Sequence, residues 1–260
     1  MSARTILVAG LGLIGGSAAM ALRRRGWRVL YFDPNVSFGD ARAAGAADER
    51  VDAIVDCELV LLATPVDVAI EQARTIANSG VVTSACSVMR PLRDAARGAF
   101  IAGHPLAGSH ERGLAAARAD LFEGKTWFVD GDDERVDAMI RDCGGIRDRV
   151  TADEHDAGVA LTSHLPQVLS TALAACLHER GGDALRFAGS GLRTFLRLAA
   201  SDASVWAPVL DANRDNIREH AQRVMELVEE LTQDDPVADP HEAFAKAQAT
   251  WRALEARWRS

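Results

Sequence analysis

The apolar run Thr5-Ile6-Leu7-Val8-Ala9 leads without a break into Gly10-Leu11-Gly12-Leu13-Ile14-Gly15-Gly16-Ser17. A continuous apolar strand is buried on both faces, which points to a parallel sheet. The glycines after it have separate jobs. Gly10 permits a tight turn, Gly12 lets backbone approach a pyrophosphate, and Gly15 lets the next helix pack closely on the strand. That helix opens at Leu13 and Ile14, and its N-terminus faces the phosphates. Gly26 stops it, Arg28 to Phe32 forms the next strand, and Asp33 stands at the end. An acid there accepts hydrogen bonds from ribose hydroxyls and repels a 2′-phosphate. Pro34-Asn35-Val36 brings no arginine, so the pattern favours NAD over NADP. The competing reading of Asp33 is a turn residue ahead of Pro34.

Strand and helix keep alternating. Leu59 to Ala63 reads as a strand ending at Thr64-Pro65, with a helix from Asp67 to Ala77. Val81 to Thr83 is a strand followed by Ser84-Ala85-Cys86-Ser87. Ala99 to Ala102 is a strand that ends at Gly103 and delivers His104. Thr126 to Val129 is one more, with Glu134 to Asp142 as its helix. Such alternation implies a Rossmann-type doubly wound α/β sheet. Ligands of these sheets lie at the carboxyl ends of the strands, where Gly10, Thr64, Pro65, Ser87 and His104 all fall. Because Pro105 follows it, His104 is expected in an extended conformation. By itself it is a histidine in a turn; the convergence of strand ends raises it to a candidate site residue.

After Asp148-Arg149-Val150 the strand signal stops, dividing the chain into residues 1–150 and an all-helical C-terminal domain, 151–260. Thr151 with Glu154 forms a capping box. The helix it opens runs past His155 and His164 towards Leu177, with a kink expected near Ser163 because of Pro166. Ala184 to Ala200 reads as a second helical region. Ser201 is placed to cap a long third helix, with Trp206, Leu210, Asn213, Ile217, Val224, Leu227 and Leu231 near one face. Pro236 and Pro240 mark a break before a last amphipathic helix, His241 to Trp258. These apolar faces suggest a homodimer; the alternative is that the monomer satisfies them itself.

Length and charge narrow the function classes. The 260 residues suffice for two domains, and a formal charge of -8 without a basic face argues against nucleic acid. No uninterrupted apolar run approaches the ~20 residues of a bilayer span. Met1 to Arg4 lacks a signal-peptide layout. Cys57, Cys86, Cys143 and Cys176 are scattered, which suggests a reducing cytoplasm and no metal site.

Taken together, several segments make the chain resemble the prephenate dehydrogenase family over essentially its whole length. They are Gly10 to Ser17, Gly103-His104-Pro105-Leu106-Ala107-Gly108-Ser109, Asp120 to Gly124, His155-Asp156, Ser163-His164-Leu165-Pro166, Arg197 to Asp202, and Trp206. The glycine fingerprint is common to many dehydrogenases; the histidine-centred segments are far more specific. The resemblance implies NAD-dependent oxidative decarboxylation of prephenate to 4-hydroxyphenylpyruvate, a step of tyrosine biosynthesis. It places the catalytic base on His104, an orienting hydroxyl on Ser87, and carboxylate binding on Arg197. Arg193, one turn away, His164 and Gln167 join the substrate side. For Arg193 a surface ion pair, and for His164 a backbone cap, are the competing readings. Arg197 lies in an apolar run, so an anion partner is expected, either a ligand or a buried acid. His110, His155, His178, His220 and His241 have no comparable support, although His155 falls in a family segment.

Departures from the family pattern are local. Where it usually reads Asp-Val-Gly-Ser-Val-Lys, this chain has Ser84-Ala85-Cys86-Ser87-Val88-Met89. Leu196 replaces a threonine, and Gln167 a histidine. The loss of an acid and a lysine together is either a coupled neutral change or the mark of another substrate, such as arogenate or a 4-amino analogue. A catalytically silent NAD-binding protein is the reading from a different class. Arg90 stands next to the lost lysine. No room is left for a regulatory ACT domain, so feedback through one is not expected.

Overall fold

The computed structural model describes residues 4–108, 111–233 and 239–259. Ser109, His110 and Pro236, named above, lie outside them. The first half alternates as expected: β1 (Thr5–Ala9), α1 (Leu13–Arg24), β2 (Arg28–Phe32), α2 (Phe38–Ala43), β3 (Glu49–Arg50), β4 (Leu59–Leu62) and α3 (Val66–Thr75). There follow β5 (Val81–Ser84), α4 (Arg90–Ala95), β6 (Phe100–Pro105), β7 (Thr126–Asp130), α5 (Glu134–Asp142) and β8 (Ile146–Arg149). The eight strands form one sheet in the order β3-β2-β1-β4-β5-β6-β7-β8, parallel except for the β6–β7 pair. The chain order reverses between β1 and β4, and at such a switch point a cleft opens beyond the strand ends.

Backbone geometry explains the glycines. Gly10 has φ +90°, and a Cβ there would lie 2.7 Å from the Ala63 carbonyl oxygen. A Cβ on Gly15 would lie 1.9 Å from the Gly10 carbonyl oxygen, so α1 reaches β1 only with a glycine at this position. One side of the sheet is filled by Leu22, Tyr31, Phe122, Trp127 and Met139. On the other side Val60, Leu62, Val66, Ala69 and Leu92 pack with Val209, which belongs to the helical half.

That half begins with α6 (Ala152–Val159), opened by the expected capping box of Thr151 and Glu154. The kink expected near Ser163 is instead a π-helical stretch, Ala160–His164, leading into α7 (Leu165–Arg180). A π turn skips a bond in the ladder and so absorbs the N–H that Pro166 lacks. The resulting 29-residue helix, Ala152–Arg180, is by length and composition apolar enough to cross a bilayer. Its polar residues His155, Asp156, His164 and Gln167 are buried and bonded within the chain, so it serves as the spine of the helical half. Ala184 to Ala200 is not one helical region. It comprises a 3-10 stretch at Gly182–Phe187, then α8 (Ser190–Phe195), then a second 3-10 stretch at Leu196–Ala200.

The long third helix is broken too. Asp202, not Ser201, caps α9 (Ala203–Ala212) by accepting the Ser204 N–H at 2.8 Å. Asn213, with φ -122° and ψ 25°, separates α9 from α10 (Arg214–Thr232). The break has a use, because the Asn213 amide donates to the Asp156 carbonyl at 2.7 Å. α11 (Pro240–Arg259) follows.

The two halves are joined through α4, which is not among the helices expected from the sequence. The buried Asp156 carboxylate accepts the Met89 N–H at 2.8 Å and the Arg90 N–H at 2.9 Å, at the start of α4. Around it, Arg90 pairs with Asp215 at 2.6 Å and Arg93 with Asp153 at 2.6 Å. Asp156→Ala leaves these buried donors without acceptors. It should therefore lower the unfolding free energy by about 2–5 kcal/mol, measured by urea titration, against under about 1 kcal/mol for Asp215→Ala.

Candidate active site

A cavity of about 1120 Å³ lies where the sheet's carboxyl edge meets the helical half. The glycine loop supplies one wall, with Gly12, Leu13 and Ile14. Thr64 and Pro65 from the end of β4, Ser87 from the loop after β5, and His104 from β6 also line it. Arg197 and Trp206 face it from the helical half. Eight of the sequence-derived site residues therefore share one space. Gly10 and Gly15 shape that wall from behind. Asp33 is engaged with the loop itself: one carboxylate oxygen accepts the Leu11 N–H and the other the Asn35 N–H, each at 2.8 Å.

His104 is better fixed than a turn residue would be. β6 runs past Gly103 to Pro105, and His104 pairs with Phe128 across the antiparallel β7. Its Nδ1 lies 2.9 Å from Nε2 of His155, whose Nδ1 lies 2.7 Å from Asp156. Burial, then His155 and His164, push the His104 imidazole down to about 3, so it is neutral at ordinary pH. Burial likewise lowers His164 to about 4. His155 falls in a family segment but has no expected site role; its local signal is a position in the first turns of a capped helix directly after the last strand.

Three candidates stand apart from the cavity wall. His164 is 1% exposed, meets the Asn213 amide at 3.1 Å, and stands edge-on to Trp206, which does line the wall. Gln167 donates to the Leu198 carbonyl at 2.9 Å, and Ser170 bonds both Phe195 O and Ala199 N. Together they hold the 3-10 stretch that carries Arg197. Arg193 is exposed. Arg197 is exposed as well, so its apolar neighbours do not bury it. Among the described residues no acid pairs with it, and because it is exposed, burial does not demand an anion partner.

The departing loop is explained locally. Ser84 is buried, and its hydroxyl both donates to the Gly103 carbonyl and accepts the Gly103 N–H, each at 3.1 Å. Met89 is fully buried beside Ala102 and Ala152. Arg90 does not replace the lost cation in the cavity: its guanidinium is held by both oxygens of Asp215. A separate cation does reach the wall. Arg112, from the loop after β6, pairs with Asp202 at 2.7 Å across the opening.

Comparison with known proteins gives the same assignment along the chain. The family model "Prephenate dehydrogenase, nucleotide-binding domain" matches residues 18–141, and "Prephenate dehydrogenase, dimerization domain" matches residues 151–236. The chain is 31% identical over 243 residues to a prephenate dehydrogenase of Bacillus subtilis, covering 82% of this chain and 65% of that protein. It is 30% identical over 237 residues to a cyclohexadienyl dehydrogenase of Zymomonas mobilis, covering 80% of each. Among solved structures, prephenate dehydrogenase from A. aeolicus in complex with hydroxyphenyl propionate and NAD+ aligns with a TM-score of 0.79 at 25% identity. That alignment covers 100% of this chain and 98% of the other. The chain belongs to the prephenate dehydrogenase family.

The neutral histidines set a pH dependence. Unfolded, each takes up a proton near pH 6.5; folded, His104 does so only near 3 and His164 near 4. Between these limits the unfolded chain binds more protons, so stability falls as pH drops below about 6.5. His104→Asn removes one of these sites. Its unfolding free energy should decline less steeply between about pH 6.5 and 4 in urea titrations. An unchanged slope excludes a neutral His104 in the folded chain.

Proposed function

We propose that this chain is an NAD-dependent oxidoreductase that converts prephenate to 4-hydroxyphenylpyruvate and CO2, a step of tyrosine biosynthesis. One observation carries the reading: His104, a neutral base, and Arg197, a cation without an acidic partner among the described residues, face the same cavity as the glycine loop. The division of labour follows the chain, with residues 1–150 for the nucleotide and 151–260 for the substrate and a second subunit.

The residues present fit the cofactor. Gly12 opens onto empty space, where a side chain would fill the cradle, and no side chain caps the N-terminus of α1. Backbone N–H groups and the helix dipole there suit a pyrophosphate. Gly10 and Gly15 make this approach possible, Leu13, Ile14, Thr64 and Pro65 flank it, and Asp33 offers its remaining lone pairs to ribose hydroxyls. When bound, the nicotinamide supplies the acceptor for the hydride leaving C4 of the substrate.

The protein's own work is to orient the substrate and handle a proton. Arg197 holds a carboxylate through its planar fork, fixing the end of the ring remote from C4. Ser87 hydrogen-bonds the C4 hydroxyl. His104 draws that hydroxyl's proton as the C4–H bond breaks and returns it to the phenol oxygen once the ring has lost its carboxylate and become aromatic. The cavity walls, including Trp206, limit water at the reacting centre.

Exposed Met225, Phe244, Trp251 and Trp258 on α10 and α11 support a homodimer through the helical half. Sedimentation at micromolar concentration should give twice the chain mass; a monomer there defeats this assembly. Substrate choice is a separate matter. The likeness to a cyclohexadienyl dehydrogenase favours a second reading, in which arogenate or a 4-amino analogue is preferred. NADH formation with each acid decides between the two. His104→Asn should lower kcat by about 10²–10⁴-fold with KM little changed, and Arg197→Gln should raise KM most. No NADH from any cyclohexadienyl acid makes the chain a silent NAD-binding relative.

A further inference from the structure

We propose that His155 and Asp156 are positioning residues that form, with His104, a buried proton relay. It fixes the tautomer of the base and receives the charge the base acquires. This rests on the reading of His104 as base.

The argument begins with donors. Asp156 is fully buried, and its two oxygens accept the Met89 and Arg90 N–H groups. A carboxylate used this way only accepts. The His155 Nδ1, 2.7 Å from Asp156 Oδ1, must therefore carry a proton. A neutral His155 then has its lone pair on Nε2, and the contact at 2.9 Å requires a proton on His104 Nδ1. The His104 lone pair is left on Nε2, the nitrogen without a hydrogen-bond partner among the described residues, on a ring that lines the cavity. One carboxylate, two residues removed, thus decides which nitrogen meets the substrate.

The same contacts solve a second problem. A positive charge on His104 is opposed above all by burial, so alone it is a weak base. When Nε2 takes the hydroxyl proton, the Nδ1 proton can pass to His155 Nε2. His104 stays neutral, and the charge becomes an imidazolium against Asp156. Both side chains are buried, at 1% and 0% exposure, where an opposite charge in contact is worth most. Phe128 stands edge-on to His155 at 5.6 Å, and the other titratable ring nearby is His164. As the phenol forms both protons return, so the relay consumes and releases nothing.

Long-range 1H–15N correlation of the imidazoles in the full chain reads the tautomers without substrate, with His104→Asn assigning the signal. At neutral pH, His104 and His155 should both be Nδ1–H tautomers; an Nε2–H tautomer at His104, or a free-imidazole mixture, overturns the relay. His155→Gln places an amide oxygen near the lost Nε2, so it should keep the His104 tautomer while kcat falls about 10–100-fold at little-changed KM. His155→Phe should lose both. A folded His155→Phe with wild-type kcat overturns the relay, and if that variant does not fold, His155→Gln with wild-type kcat does the same. A wild-type chain inactive on every cyclohexadienyl acid sinks the proposed function, while the tautomers still decide the relay.

Discussion

The Asp156 carboxylate is the interaction on which the rest depends. Burying a charge is costly unless it is paired and well hydrogen-bonded, and here three donors from two parts of the chain reach it. Two are backbone N–H groups at the start of α4, so this carboxylate ties the helical half to the sheet domain. The third is the ring of His155, whose other nitrogen touches His104. Assembly of the halves and orientation of the proposed base are thus one event.

Around that point the cavity is built from features that look like imperfections. The π stretch lets the spine helix carry Pro166 without breaking. The break at Asn213 turns a chain that could have continued as helix, and its amide seals the Asp156 carbonyl and meets His164. Short 3-10 pieces replace a regular helix before Ser201, which puts Arg197 on an exposed turn pinned from below by Gln167 and Ser170. In each case regular structure is given up where a side chain is needed in the wall or behind it.

What the sequence makes legible follows from the range of the interactions. The glycine loop, the strand ends and the capping box of Thr151 are local: each residue acts on neighbours within a few positions, so spacing suffices. His104 was found because strand ends converge in any such sheet. His155 was not, because its meaning lies in a contact 51 residues away across the β6–β7 pair. The break at Asn213 escaped notice for a related reason: Trp206, Ile217 and Leu231 keep an apolar spacing through it, while what interrupts the helix is a buried hydrogen bond to α6. Gln167 and His164, assigned to the substrate side, support the wall instead, and polar residues at helical spacing give no sign of which layer they occupy.

The loop from Ser84 to Met89 shows how a charged pair can vanish without unravelling a site. An acid at position 84 could accept the Gly103 N–H but would face the Gly103 carbonyl with no proton to give. The serine hydroxyl satisfies both groups and keeps β6 in register one residue before His104. The methionine at position 89 is sealed beside Ala102 and Ala152, where an unpaired charge would be costly. The joint effect of Ser84 and Met89 is a neutral floor behind His104, which leaves Asp156 as the anion placed to answer any charge that the imidazole takes up.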